Sequence, residues 1–223
     1  MAKPILLSWS SGKDSAWTLH KLRTQSDYEV VGLVTTINED YQRVAMHAVR
    51  LDLLRQQADA TGLELHALDI PNPCSNEQYE AVMSDFVQRA RGMGIEHMAF
   101  GDLFLEDVRK YREDRLEGSG ITPVFPLWKI PTDELVDDML TNGLRAYLSC
   151  VDPRSLSSEY AGRELDRALL DEFPAAVDPC GENGEFHSFV FDGPMFDTPL
   201  DISVGEIVER DGFVFADIVP KRT

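Results

Sequence analysis

Over the first 127 residues, short apolar runs alternate with amphipathic stretches, and this alternation limits the possible folds more than any other feature. The runs at 4–9, 29–37, 64–70, 97–103 and 122–127 have strand length. Helical patterns lie between them. Residues 15–23 follow the first run. Ala48, Leu51, Leu54 and Ala58 form a stripe that ends before Gly62. Tyr79, Val82, Met83, Phe86, Val87 and Ala90 share one helical face, with Ser75 and Gln78 placed for a capping box and Gly92 for a stop. A helix at 105–116 is stopped by Gly118 and Gly120. Nearly continuous apolar strands need cover on both faces, and repeated strand–helix–strand units predict a parallel sheet.

The pattern changes after Pro131. Thr132 is placed to cap a helix reaching residue 141, with Gly143 beyond it. A second helix is expected at 161–172. The remainder reads as strands at 188–191, 202–209 and 213–219, the last two joined by Asp211-Gly212, a hairpin signal. We therefore expect an α/β domain over 1–130 and a smaller α+β domain over 131–223.

The densest chemical signal is Ser8-Trp9-Ser10-Ser11-Gly12-Lys13-Asp14-Ser15, at the junction of the first strand and first helix. Small residues let a ligand approach the backbone, and N–H groups at a helix start attract anions. Lys13 adds a cation, and Asp14 could hold Mg²⁺ against phosphate oxygens. The loop is not a Walker A motif: Leu7 stands where that motif needs a glycine, and Asp14 follows the lysine. One glycine also excludes the dinucleotide fingerprint. The bland alternative is a serine-rich turn without a ligand.

Charge and cysteines narrow the class further. A formal net charge of −18 repels nucleic-acid phosphates unless basic residues cluster. The only dense cluster is Arg109-Lys110-Tyr111-Arg112 with Arg115, which also reads as a solvated helix face. Cys74, Cys150 and Cys180 form no C-x-x-C pair, which argues against a zinc knuckle or thioredoxin-like motif and fits a reducing compartment. No apolar run approaches a membrane span. A cytoplasmic protein without membrane or nucleic-acid partners is expected.

Residues 8–15 resemble the S-G-G-x-D-S signature of the PP-loop, or N-type ATP pyrophosphatase, superfamily, with Ser11 where the first glycine usually lies. The resemblance implies a Rossmann-like (HUP-type) parallel sheet with helices on both faces. It also implies ATP, cleaved between its α and β phosphates, with Mg²⁺. Gly101-Asp102-Leu103, Arg109, Glu113 and Pro126-Leu127-Trp128 are similar to the diphthine–ammonia ligase family. So is the stretch 178–194, which contains Gly181-Glu182-Asn183-Gly184-Glu185-Phe186-His187 and matches that family's G-E-x-G-E-F element. The chain ends where longer relatives add domains, so it looks like a short form.

The resemblance implies a ligase that adenylates a substrate carboxylate, giving AMP and pyrophosphate, and amidates it with ammonia. In that family the carboxylate is diphthine on a translation elongation factor. Ser10, Ser11, Gly12, Lys13, Asp14, Ser15 and Gly101 would hold ATP. Lys13, Asp14 and Asp102 would be catalytic, with Asp14 and Asp102 the metal contacts; as a rival, Asp102 reads as a helix cap. Arg109, Glu113, Glu182 and Glu185 would bind substrate. The rival readings are a surface ion pair for Arg109 and Glu113, and a solvated turn for Glu182 and Glu185. Loop 181–187 should fold back over the ATP crevice. His187 and His47 are weaker candidates. A homodimer is left open. Two other functions remain: sulfur transfer to tRNA using Cys150 and Cys180, and a nucleotide-binding module without ligase activity.

Overall fold

The computed structural model describes residues 2–25, 27–38, 43–44 and 49–221. His47 and Ala48 lie outside the described residues. Strands β1 (Lys3–Ser8), β2 (Tyr28–Asn38), β4 (Leu65–Ile70), β5 (His97–Ala99) and β6 (Thr122–Val124) form a parallel sheet. Their spatial order is β4–β2–β1–β5–β6, with a two-residue β3 (Arg43–Val44) antiparallel to the end of β2. The connecting helices are α1 (Lys13–Gln25), α2 (Leu51–Thr61), α3 (Asn76–Gly92) and α4 (Glu106–Leu116). The chain builds outward from β1 through β2 and β4, then returns to the other side of β1 for β5 and β6. Such a reversal opens a crevice between the carboxyl ends of β1 and β5.

Side-chain alternation explains cover on both faces. Ile5, Leu7 and Trp9 point into one hydrophobic cluster, and Leu6 points into another with Val34, Met98 and Phe100. α3 is capped as its sequence predicts, Ser75 and Gln78 exchanging backbone and side-chain hydrogen bonds. The α/β class and the Rossmann-like sheet hold. The fourth and fifth strands end earlier than their apolar runs, at Ala99 and Val124.

The second half contains α5 (Thr132–Thr141), β7 (Arg145–Val151), a 3₁₀ turn (Ser158–Tyr160), α6 (Arg167–Asp171), β8 (Phe186–Asp192), β9 (Ile202–Arg210) and β10 (Phe213–Pro220). Its antiparallel sheet runs β8–β7–β10–β9. Three expectations need correction. β7 is a strand that the sequence reading lacks. The helix expected at 161–172 is only α6: Gly162 turns at φ 80°, against Val204, and residues 163–165 run beside β7. Thr132 does not cap α5; its hydroxyl donates to Asp178 Oδ2 at 2.7 Å. No helix among the described residues is long and apolar enough to cross a membrane.

The antiparallel sheet packs on the parallel one. Phe189, Val214 and Ile218 share one cluster with Ile5, Leu7, Trp9 and Leu33 of the parallel sheet. This packing brings β8 against the loop that follows β1.

Candidate active site

The loop at 10–15 closes on itself before α1 begins. Ser15 Oγ donates to Gly12 O at 3.0 Å, and the Ser10 and Ser15 hydroxyls lie 3.1 Å apart. Ser11 adopts φ 74°, a left-handed conformation that favours glycine. Its hydroxyl is buried and has no hydrogen-bond partner among the described residues. The first turn of α1 then presents backbone N–H groups and a positive dipole end to the crevice.

β8 holds this loop from the far end of the chain. Lys13 N donates to Ser188 Oγ at 3.1 Å, and Val190 N donates to Ser11 O at 3.0 Å. Gln57 of α2, fully buried, completes the clamp. Its amide nitrogen donates to Ser11 O and Val190 O, and its oxygen accepts from Trp9 Nε1 at 2.8 Å. Sequence reasoning missed Gln57 and Ser188. A glutamine on an otherwise apolar stripe was the available signal for the first.

Lys13 is 3 % exposed, and its ammonium contacts both Asp14 carboxylate oxygens, at 3.0 and 2.9 Å. It also lies 5.5 Å from the Phe186 ring centre. Burial alone would lower its pKa, but Asp14, followed by Cys180 and Glu182, leaves it above the ordinary value. The ammonium therefore stays charged without leaving an isolated buried cation.

Gly101 allows β5 to reach this loop: a side-chain carbon there would sit 2.9 Å from the Asp14 carbonyl carbon. Asp102 follows, mostly buried. Its Oδ2 lacks a hydrogen-bond partner among the described residues, as does Arg112 Nε, 3.7 Å away. Burial raises the Asp102 pKa, with Arg112 opposing.

Loop 181–187 lies against the same edge. Glu182 Oε1 accepts the Leu103 N–H at 3.1 Å, tying the loop to the segment after β5. Burial, followed by the Asp14 charge, pushes the Glu182 carboxyl up to about 7. Glu185 faces the other way. It is 4 % exposed, and its carboxylate accepts from Asp178 N, Asn183 N and Asn183 Nδ2, so it shapes the loop from inside. His187 is held toward the neutral imidazole, by burial first and then by Lys13.

Arg109 and Glu113 pair across one turn of α4 at 2.8 Å. The Arg109 guanidinium lies 4.7 Å from the ring centres of both Phe125 and Trp128. It braces the segment after β6, while Arg112, three residues on, faces Asp102. The basic cluster in the sequence contained Arg112, but spacing alone did not separate the two arginines. Among the described residues, no group of three His, Cys, Asp or Glu side chains gathers as a metal site. The Cys150 and Cys180 thiols are buried, and burial pushes them up to about 11 and about 12.

Two family models match the chain: the diphthamide synthase N-terminal domain over residues 2–123 and the diphthamide synthase C-terminal domain over 131–219. A diphthine–ammonia ligase of Schizosaccharomyces pombe is 25 % identical over 220 residues, covering 90 % of this chain and 36 % of that protein. The Bos taurus protein of that name is 22 % identical over 236 residues, covering 94 % of this chain and 86 % of its own length. The Danio rerio protein of that name is 25 % identical over 236 residues, covering 94 % and 90 %.

Proposed function

The chain belongs to the diphthamide synthase family, and on that premise we propose that it is an ATP-dependent carboxylate–ammonia ligase. ATP and a substrate carboxylate yield an acyl-adenylate and pyrophosphate; ammonia then displaces AMP to leave the amide. The relatives' names make diphthine the first acceptor to test. The observation that carries the reading is the closed loop at 10–15, with Lys13 buried beneath residues 186–188 from the other sheet. In this reading residues 1–130 carry the nucleotide site and 131–223 supply the facing wall.

Each side chain has a role consistent with its surroundings. Lys13 exchanges Asp14 for phosphate oxygens, and the α1 N–H groups receive the charge that develops as pyrophosphate leaves. Ser10 and Ser15 hold the loop open to phosphate, and Gly12 and Gly101 permit close approach. Glu182, poised between its two protonation states near neutral pH, takes a proton from the incoming ammonium or the attacking amine. Glu185 keeps Glu182 in place through the loop.

A magnesium ion fits these residues as a companion of the nucleotide. Asp14 and the orphaned Asp102 oxygen are hard donors, and Mg²⁺ typically binds one or two carboxylates together with phosphates and waters. When bound, the ion neutralises phosphate charge. The raised thiol pKa values disfavour sulfur transfer, which needs a thiolate.

The test is product analysis. With Mg-ATP labelled at the α-phosphate, ammonium and a diphthine-bearing acceptor, AMP should accumulate in step with the amide. ADP as the direct product would refute the reading.

A further inference from the structure

α4 carries few apolar residues, and among its described side chains only Leu116 is buried. It therefore cannot fill the space between itself and α3. A cavity of about 230 Å³ remains, lined by Tyr79, Met83 and Val87 of α3, Met98 and Phe100 at the end of β5, and Arg112 of α4. Tyr79, Met83 and Val87 lie four residues apart, so one apolar stripe of α3 faces the gap and is only partly covered. The Glu80–Arg115 ion pair joins the two helices at the rim.

Arg112 stands at the inner end of the cavity, facing Asp102 and the Tyr79 hydroxyl. The Arg112 guanidinium lies 5.0 Å from the Phe100 ring centre, and its buried Nε has no hydrogen-bond partner among the described residues. Asp102 stands 3.7 Å away, beyond hydrogen-bond distance. Asp102 immediately follows Gly101, which packs on the Asp14 backbone. The cavity thus neighbours the loop at 10–15 through Arg112 and Asp102, with an apolar α3 wall and an arginine at that end. A buried donor without a partner is unfavourable, and a bound anion could supply the acceptor that Arg112 Nε lacks.

Resting on the ligase reading above, we propose that this cavity is the acceptor subsite: Arg112 binds the carboxylate, and the α3 stripe binds an apolar stem behind it. The arginine favours an anion over the neutral adenine ring as the group held here. Arg112, with no role in the family-based assignment of the site, becomes a specificity-determining residue that discriminates acid from amide. It holds the substrate acid and releases the product amide, which lacks the charge.

The test uses the whole protein labelled with ¹³C at the methionine methyls, because Met83 and Met98 line the cavity. Hexanoate and hexanamide serve as probes. Hexanoate should shift the Met83 and Met98 signals saturably and bind at least tenfold more tightly than hexanamide. Arg112→Gln should erase that preference. Ser84→Trp, at an exposed position on the rim, should weaken both probes and covers the case in which Arg112→Gln fails to fold. Equal binding of acid and amide, shifts confined to other methionines, or displacement of hexanoate by adenosine would each overturn the assignment. Calorimetry with Mg-ATP on the same sample separates the two readings. Nucleotide binding without a hexanoate response removes the subsite and leaves the ligase. A hexanoate response without nucleotide binding does the reverse.

Discussion

Ser11 occupies a left-handed conformation, φ 74°, with a buried hydroxyl that bonds to nothing among the described residues. Glycine adopts that conformation freely, though it enlarges the entropy of the unfolded chain. Relief of the strain and the orphaned hydroxyl outweighs that loss. Ser11→Gly should therefore stabilise the protein by about 1 kcal/mol, read as a higher urea midpoint; a lower midpoint would show that the serine is doing something else. Glu182 gives a second residue-scale prediction. Its carboxyl, normally near 4.5, is pushed up to about 7 by burial and then by Asp14. Its contribution to stability is thus present at low pH and is lost as pH rises from about 4.5 through about 7. Asp14→Asn removes one repelling charge and leaves Lys13 closer to Glu182 in effect, so the ¹³C titration midpoint of Glu182 should fall. A midpoint that stays put would mean that Asp14 does not act on it.

α2 and β8 hold the phosphate loop through Gln57, which serves Ser11, Val190 and Trp9 together. Gln57→Leu keeps the volume but strands the buried Trp9 N–H and Val190 carbonyl. We expect a loss of about 2–4 kcal/mol in stability, with weaker ATP binding in calorimetry; a variant as stable as the parent would contradict the clamp. What could be read from the sequence follows the same division. The parallel strands, the α3 capping box and the strand-to-helix turn at 10–15 were legible because each is specified locally. β7 was not. Its residues Arg145–Val151 lack the alternation of a half-exposed strand, because most of them are buried within the second half of the chain. The stretch 161–172, expected as one helix, carries Ala161, Leu165 and Leu169 four residues apart, all buried. Only Leu169 is helical: Ala161 lies in a turn, and residues 163–165 bond along β7 instead of continuing a helix. Glu182 and Glu185 looked equivalent in the sequence. Only the folded loop separates the one tied to the crevice from the one turned inward.

At the scale of the molecule, one hydrophobic cluster spans both sheets, while a second is built from the first half alone. A fragment ending at residue 130 would lose Phe189, Val214 and Ile218 from the cluster that holds Ile5, Leu7 and Leu33. It should melt without a cooperative transition and bind a hydrophobic dye; a sharp melt would show that the nucleotide-binding half is self-sufficient. The shared core also fixes the geometry on which the chemistry depends, because it sets residues 182–188 over Lys13. In the proposed reaction an acceptor carboxylate attacks the α-phosphorus at this junction. Supplying the acceptor with ¹⁸O in its carboxylate, together with Mg-ATP and ammonium, tests that step by mass spectrometry. The account predicts one ¹⁸O in the AMP released for each amide formed. Amide formation with ¹⁸O in orthophosphate, and none in AMP, would contradict it.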